Sequence, residues 1–172
     1  MRSGKILSAC AIFASSGVLA QEYLKVTNTF VTTAPRPPAS VDIEVRAYDP
    51  STETESDIAT CSKFWYTDVS GWPQEFVACD KPAWNWYIST YTRPHIFDVE
   101  LSHSFDDSVP AEEGLKWHRE RFGRFSVAEN DFTCNPVHSG QVETCRTGPR
   151  DVVVYNETYT NGNGTVFWRV PE

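Results

Sequence analysis

The chain has 172 residues, 13% of them aromatic and 22% charged, and its 23 Asp and Glu outnumber 15 Lys and Arg for a formal charge of −8. Such an acidic balance repels polyanions, which argues against nucleic acid and anionic membrane surfaces as general partners while leaving room for a local basic patch. The length makes one domain the default and is enough to enclose a true core, which excludes a mini-protein held together by cross-links alone.

Residues Met1 to Ala20 read as a secretory leader. Arg2 and Lys5 make a basic start, an apolar stretch runs from Ile6 through Leu19, and the small residues Val18 and Ala20 stand where a signal peptidase reads. The stretch is too short for a membrane span and is broken by Ser15, Ser16 and Gly17, so Gln21 is the expected mature N-terminus and residues 21–172 the expected single domain. Taking Arg2 and Lys5 from the 15 basic residues leaves 13 against 23 acidic ones, a mature formal charge of −10. Cys10 leaves too, and the five cysteines become four: Cys61 close to Cys79, and Cys134 close to Cys145. That pattern describes an exported domain stapled by two local disulfides, each worth on the order of 3 kcal/mol in the chain-entropy picture. No later apolar run is long enough to cross a bilayer, and the C-terminal residues Trp168 to Glu172 lack the tail of a lipid anchor, so a secreted, extracellular location without a membrane anchor is expected. Asn156-Glu157-Thr158 and Asn163-Gly164-Thr165 are glycosylation triplets that fit this route.

Strand signals dominate the rest. Val41, Ile43, Val45 and Ala47 alternate with polar neighbours, as do Phe97, Val99, Leu101, His103 and Phe105; the same two-residue period returns at Val152 and Val154 and at Val166, Trp168 and Val170. Phe64-Trp65-Tyr66 and Trp84 to Tyr91 fit strands by propensity. Turn clusters separate them at Ala34 to Ser40, Asp49 to Asp57, Ser70 to Pro73, Asp106 to Pro110 and His138 to Gly140, and Asn161-Gly162-Asn163-Gly164 predicts a hairpin. Residues 110–124 admit a helix, with Glu112/Lys116 and Glu120/Arg124 at ion-pair spacing, or a loop and a strand; a short helical turn followed by a strand is the expectation. The pattern predicts an all-β domain, a compact antiparallel β-barrel or sandwich with at most a short helix.

The framework of Cys61 and Cys79, Trp84-Asn85-Trp86-Tyr87, Asp131-Phe132-Thr133-Cys134, Cys145 and Val152-Val153-Val154-Tyr155, together with the opening Val26-Thr27-Asn28-Thr29-Phe30, resembles the fungal secreted family typified by the Alternaria major allergen. The resemblance covers nearly the whole mature chain. It implies an antiparallel barrel, disulfides between sequence neighbours, and an allergen or effector role outside fungal cells. A host extracellular protein or a small ligand is the expected partner, and no cofactor is expected. The typifying allergen has an additional cysteine that links a dimer, whereas no cysteine lies between Gln21 and Cys61 here, so any homodimer is expected to be noncovalent.

Candidate contacts are few. Trp72, in the turn Ser70-Gly71-Trp72-Pro73, is expected to be exposed and is the favoured single contact residue, whereas Trp84, Trp86 and Trp168 are expected to fill the core. Lys116 to Arg124, with Lys116, Arg119 and Arg121 as candidate partner contacts, is the one basic patch in the acidic chain. Acidic pairs such as Asp106-Asp107 and Glu112-Glu113, and the run Glu53, Glu55, Asp57, suggest solvated loop charge before glycosidase carboxylates. His95, His103, His118 and His138 lack helical metal spacing, and His103 reads as a hydrogen-bonded residue of the core or barrel mouth. No catalytic or metal-binding residue is assigned. The expected function is binding at a host or environmental interface. The alternatives are a small extracellular hydrolase, ribonuclease- or glycosidase-like, using the Arg, His and Glu complement from Arg93 to Arg121, or a barrel carrying an apolar or phenolic ligand.

Overall fold

A computed structural model describes residues 23–35, 39–52, 58–67, 71–108, 116–135 and 141–170. The expected leader lies outside the described residues, as do residues 110–115, where a helical turn is expected.

Among the described residues eleven strands follow one another: β1 (Tyr23–Ala34), β2 (Ser40–Tyr48), β3 (Ala59–Tyr66), β4 (Val77–Ala78), β5 (Trp84–Arg93), β6 (Ile96–Ser108), β7 (Lys116–Val127), β8 (Phe132–Cys134), β9 (Glu143–Thr147), β10 (Arg150–Thr160) and β11 (Val166–Arg169), with a 3₁₀ turn at Glu129–Asp131. They pair in the order β3-β2-β1-β10-β7-β6-β5-β4, all antiparallel, in a sheet that curls into a nearly closed barrel. The long β1 shares one edge between two partners, β10 along Tyr23–Val26 and β9 along Phe30–Thr33.

Alternation explains the core. Val41, Ile43, Val45 and Ala47 of β2 and Phe97, Val99 and Leu101 of β6 point inward and are buried, together with Trp84, Trp86 and Ile88 of β5 and Phe125 and Val127 of β7. Complete burial of each large apolar side chain contributes roughly 1.5–3 kcal/mol, so this interior is the principal stabilising term. Gly123 is inward too, and an added Cβ would meet Val152 Cγ1 at 2.9 Å and Leu24 Cδ1 at 3.2 Å; glycine is what lets β7 and the β1/β10 wall approach there.

The seam between β3 and β4 is fastened rather than laddered along its length. The Cys61–Cys79 disulfide bridges it, Asp80 N–H donates to Thr60 O at 2.9 Å, and Thr60 N–H donates to Asp80 Oδ1 at 2.6 Å. Further along, Trp65 meets Tyr91 edge-on (centroids 5.0 to 5.6 Å across the trio) and Trp72 stacks on the same ring at 25°. Burial in this trio pushes the Tyr91 phenol up to about 12. Cys134 and Cys145 stand opposite each other in the β8–β9 pair and form the second disulfide. Both bridges join sequence neighbours.

Three expectations need correction. Trp72 is not an exposed turn residue but a half-buried one, because the segment after Gly71 folds back onto β5, where Ile88 N–H donates to Pro73 O at 2.8 Å. Trp168 does not fill the core: it is 70% exposed, since β11 pairs with the last turn-proximal residues of β10, beyond the point where β1 lines the same edge. Lys116 to Val127 is a single strand, whose alternation sends Arg119 and Arg121 inward and Arg124 outward, so these cations do not share one patch. The glycine-rich hairpin forms as expected at Asn161–Thr165, with Gly164 at φ 77°, a left-handed position suited to glycine.

Candidate functional site

At one end of the barrel the inward row of side chains changes from apolar to charged. Trp84, His103, Arg121 and Glu157 lie in register across β5, β6, β7 and β10, and Phe105, Arg119 and Tyr159 form the next row out. Asp49 enters from the facing wall, immediately after β2, with Ser51 beside it.

These groups neutralise one another. Arg121 Nη1 donates to Asp49 Oδ1 and Oδ2 at 3.1 and 3.0 Å, and Arg121 Nε donates to Glu157 Oε1 at 3.0 Å. Arg119 Nε donates to the same Glu157 oxygen at 3.1 Å, and Arg119 Nη2 donates to the Tyr159 hydroxyl at 3.1 Å. Ser51 supplies its N–H to Asp49 Oδ1 at 2.9 Å and its hydroxyl at 2.7 Å. His103 Nδ1 lies 3.1 Å from Asp49 Oδ2, while its ring is held between Trp84 (4.4 Å, 18°) and Phe105 (5.3 Å, 24°). Both guanidinium groups also lie over Phe105, at 5.3 and 5.1 Å.

Asp49 and Glu157 are fully buried, and His103 and Arg121 nearly so. Burial opposes ionisation of Asp49, yet the hydrogen bonds from His103 and Ser51 and the charge of Arg121 outweigh it and hold the carboxyl well below the usual range. Glu157 is likewise opposed by burial and likewise lowered, by Tyr159, Arg121 and Arg119. With two carboxylates set against two guanidinium groups, neither carboxyl of this cluster has the raised pKa that a general acid needs.

The residues named from sequence divide accordingly. Arg121 is buried in this cluster and Arg119 is 14% exposed at its outer end, so neither is a free cation for a partner. Lys116 opens β7, but its side chain lies outside the described residues. The Arg, His and Glu complement is dispersed: Arg93 pairs with Glu129 at 2.6 Å, His118 with Asp106 at 3.1 Å at the opposite end of the sheet, and Glu100 lies on the outer face. His138 is outside the described residues. Asn163 is exposed at the hairpin tip, whereas Asn156 is half-buried within β10, opposite Phe122. His95 has an imidazole nitrogen within 4.8 Å of the sulfurs of Cys134 and Cys145, but a disulfide offers no thiolate to a metal ion.

Sequence reading missed Asp49, Glu157 and the outer aromatic face. There Tyr87, Glu100 and Arg124 stand in register across β5, β6 and β7, and the Tyr155 hydroxyl donates to Glu100. Phe76 caps the row, 4.7 Å from Tyr87 and 6.1 Å from Phe122. Glu100, Arg124, Val153 and Tyr155 line a shallow groove of about 330 Å³, and Phe76, Val153 and Tyr155 are each more than two-fifths exposed.

An antiparallel β-barrel with two local disulfides is the class this geometry defines, and such disulfides fit an extracellular protein. Among the described residues no helix is long and apolar enough to cross a membrane. Compared with protein-family models, with curated proteins and with solved structures, the chain finds no match in any of the three.

Proposed function

We propose that this chain is an exported binding protein that acts outside the cell through the outer surface of its barrel, in the manner of the fungal effector and allergen family its cysteine framework resembles, and not by catalysis. One observation carries the reading. The acid–base groups that converge in the barrel are buried and consumed by one another, while Phe76, Tyr87, Phe122 and Tyr155 present aromatic surface around a Glu100–Arg124 row on the outside. Exposed aromatic groups with a few fixed polar partners are the usual composition of a contact surface. The interior supports the same choice over ligand carriage, since its inward positions are occupied by packed aliphatic and indole side chains.

The test uses the purified mature protein, with both disulfides formed, against fractionated host extracellular fluid. Wild type is expected to retain a saturable protein partner that the Phe76→Ala/Tyr155→Ala variant loses, with far-ultraviolet circular dichroism and cooperative unfolding preserved. Turnover of RNA or glycan that disappears in a folded Glu157→Gln variant would establish the hydrolase reading instead.

A further inference from the structure

We propose that Cys134–Cys145 is an exchangeable disulfide, at which a small thiol adds to Cys134 while His95 neutralises the departing Cys145 thiolate. This goes beyond the binding reading and does not depend on it. Three observations at the β8–β9 pair carry it. Cys134 is exposed whereas Cys145 is fully buried, so an incoming thiolate has access to one sulfur and not the other. An imidazole nitrogen of His95 lies within 4.8 Å of both sulfurs. His95 Nε2 is buried and makes no hydrogen bond among the described residues, an arrangement that costs stability and calls for a reason.

The step balances. A thiolate attacks Sγ of Cys134, the new S–S bond forms as the Cys134–Cys145 bond breaks, and the electron pair leaves on Sγ of Cys145. A buried thiolate is unfavourable by itself, and the adjacent imidazole stabilises it by giving up or sharing a proton. A second thiol then attacks the mixed disulfide, releasing the small disulfide and a Cys134 thiolate. The charged group facing the imidazole is Glu143, with Oε2 4.0 Å from Nε2 on β9. Nearby, Arg93 pairs with Glu129, and Arg150 pairs with Asp131 while also donating to Ser126 O. Phe132 packs against the ring at 5.1 Å, tilted by 57°.

Cys61–Cys79 is the internal comparison. Its Cys61 is fully buried and its Cys79 packs against the core, with no histidine of the described residues grouped with it. The experiment incubates the folded protein with reduced glutathione, quenches with an alkylating agent and maps peptides by mass. The expected product carries glutathione on Cys134 and a free Cys145, with Cys61–Cys79 intact. His95→Phe is expected to slow the reaction on the order of tenfold or more, and to raise the pH at which the freed Cys145 is alkylated. His95→Gln, which keeps polarity and size but is neither an acid nor a base in water, serves as the second variant should the first fail to fold. Simultaneous opening of both disulfides, an adduct on Cys145, or wild-type rates in the folded His95 variants would overturn the proposal.

Discussion

Arg121 reaches across the barrel to hold both carboxylate oxygens of Asp49, at 3.0 and 3.1 Å, although 72 positions separate them in the chain. Because Arg121 also binds Glu157 on the neighbouring strand, this contact ties the β2 wall to the β7–β10 wall where the apolar core ends. Replacing Asp49 by Asn leaves a buried guanidinium short of its countercharge. Loss of one partner from such a pair costs about 3–5 kcal/mol. Chemical denaturation of Asp49→Asn should therefore show a midpoint far below wild type; a midpoint within experimental error of wild type would mean that the cluster does not join the walls.

The same cluster sets an acid limit. The folded carboxyls of Asp49 and Glu157 both titrate below their ordinary values of 3.8 and 4.5. Their contribution is complete above those values and is lost as pH falls toward the folded ones, because the unfolded chain takes up protons first. Asp42 runs the other way, raised by burial and by Glu44, and offsets a part of the loss. Thermal stability should stay flat from neutrality down to about pH 5 and drop steeply below about pH 4. A melting temperature that falls mainly above neutrality would contradict this assignment.

How far the sequence goes depends on whether the period of two survives. In β2 and β6 an unbroken alternation places every inward residue, His103 included, and the two disulfides follow from proximity alone. In β7 the parity of Phe125 and Val127 already puts Arg121 and Arg119 inside, so a stricter reading would have separated them from Arg124. In β10 the register shifts between Val154 and Asn156, which turns Glu157 inward against the parity set by Val152 and Val154. No local signal marks that bulge. Asp49 is hidden for another reason: within an acidic turn it looks solvated, and only the distant Arg121 and His103 make it a core residue.

Gly123 tests the close approach of the walls. An alanine Cβ there would stand 2.9 Å from Val152 Cγ1, with Leu24 Cδ1 and Val153 O close behind, so the neighbours must shift. Overpacking of this kind costs typically 1–3 kcal/mol. Gly123→Ala should lower the unfolding midpoint accordingly, whereas an exposed glycine with open space around it, Gly148, should accept alanine with little change. Equal tolerance at both positions would remove the packing argument.

Trp72 separates a packing role from a contact role. Its ring stacks on Tyr91, which in turn meets Trp65 across the seam that Cys61–Cys79 fastens elsewhere. If the indole closes the barrel, Trp72→Ala must destabilise by about 1–3 kcal/mol, less than full truncation of a buried aromatic because the residue is only half-buried. It must also bring the Tyr91 phenol down from about 12 as water reaches it, a change visible in ultraviolet titration. Partner retention by the folded fraction should survive, since Phe76 packs on Tyr87 and Tyr155 bonds Glu100, whereas Trp72 stacks on Tyr91. Unchanged stability together with lost retention would return Trp72 to the contact role and place the working surface at the seam.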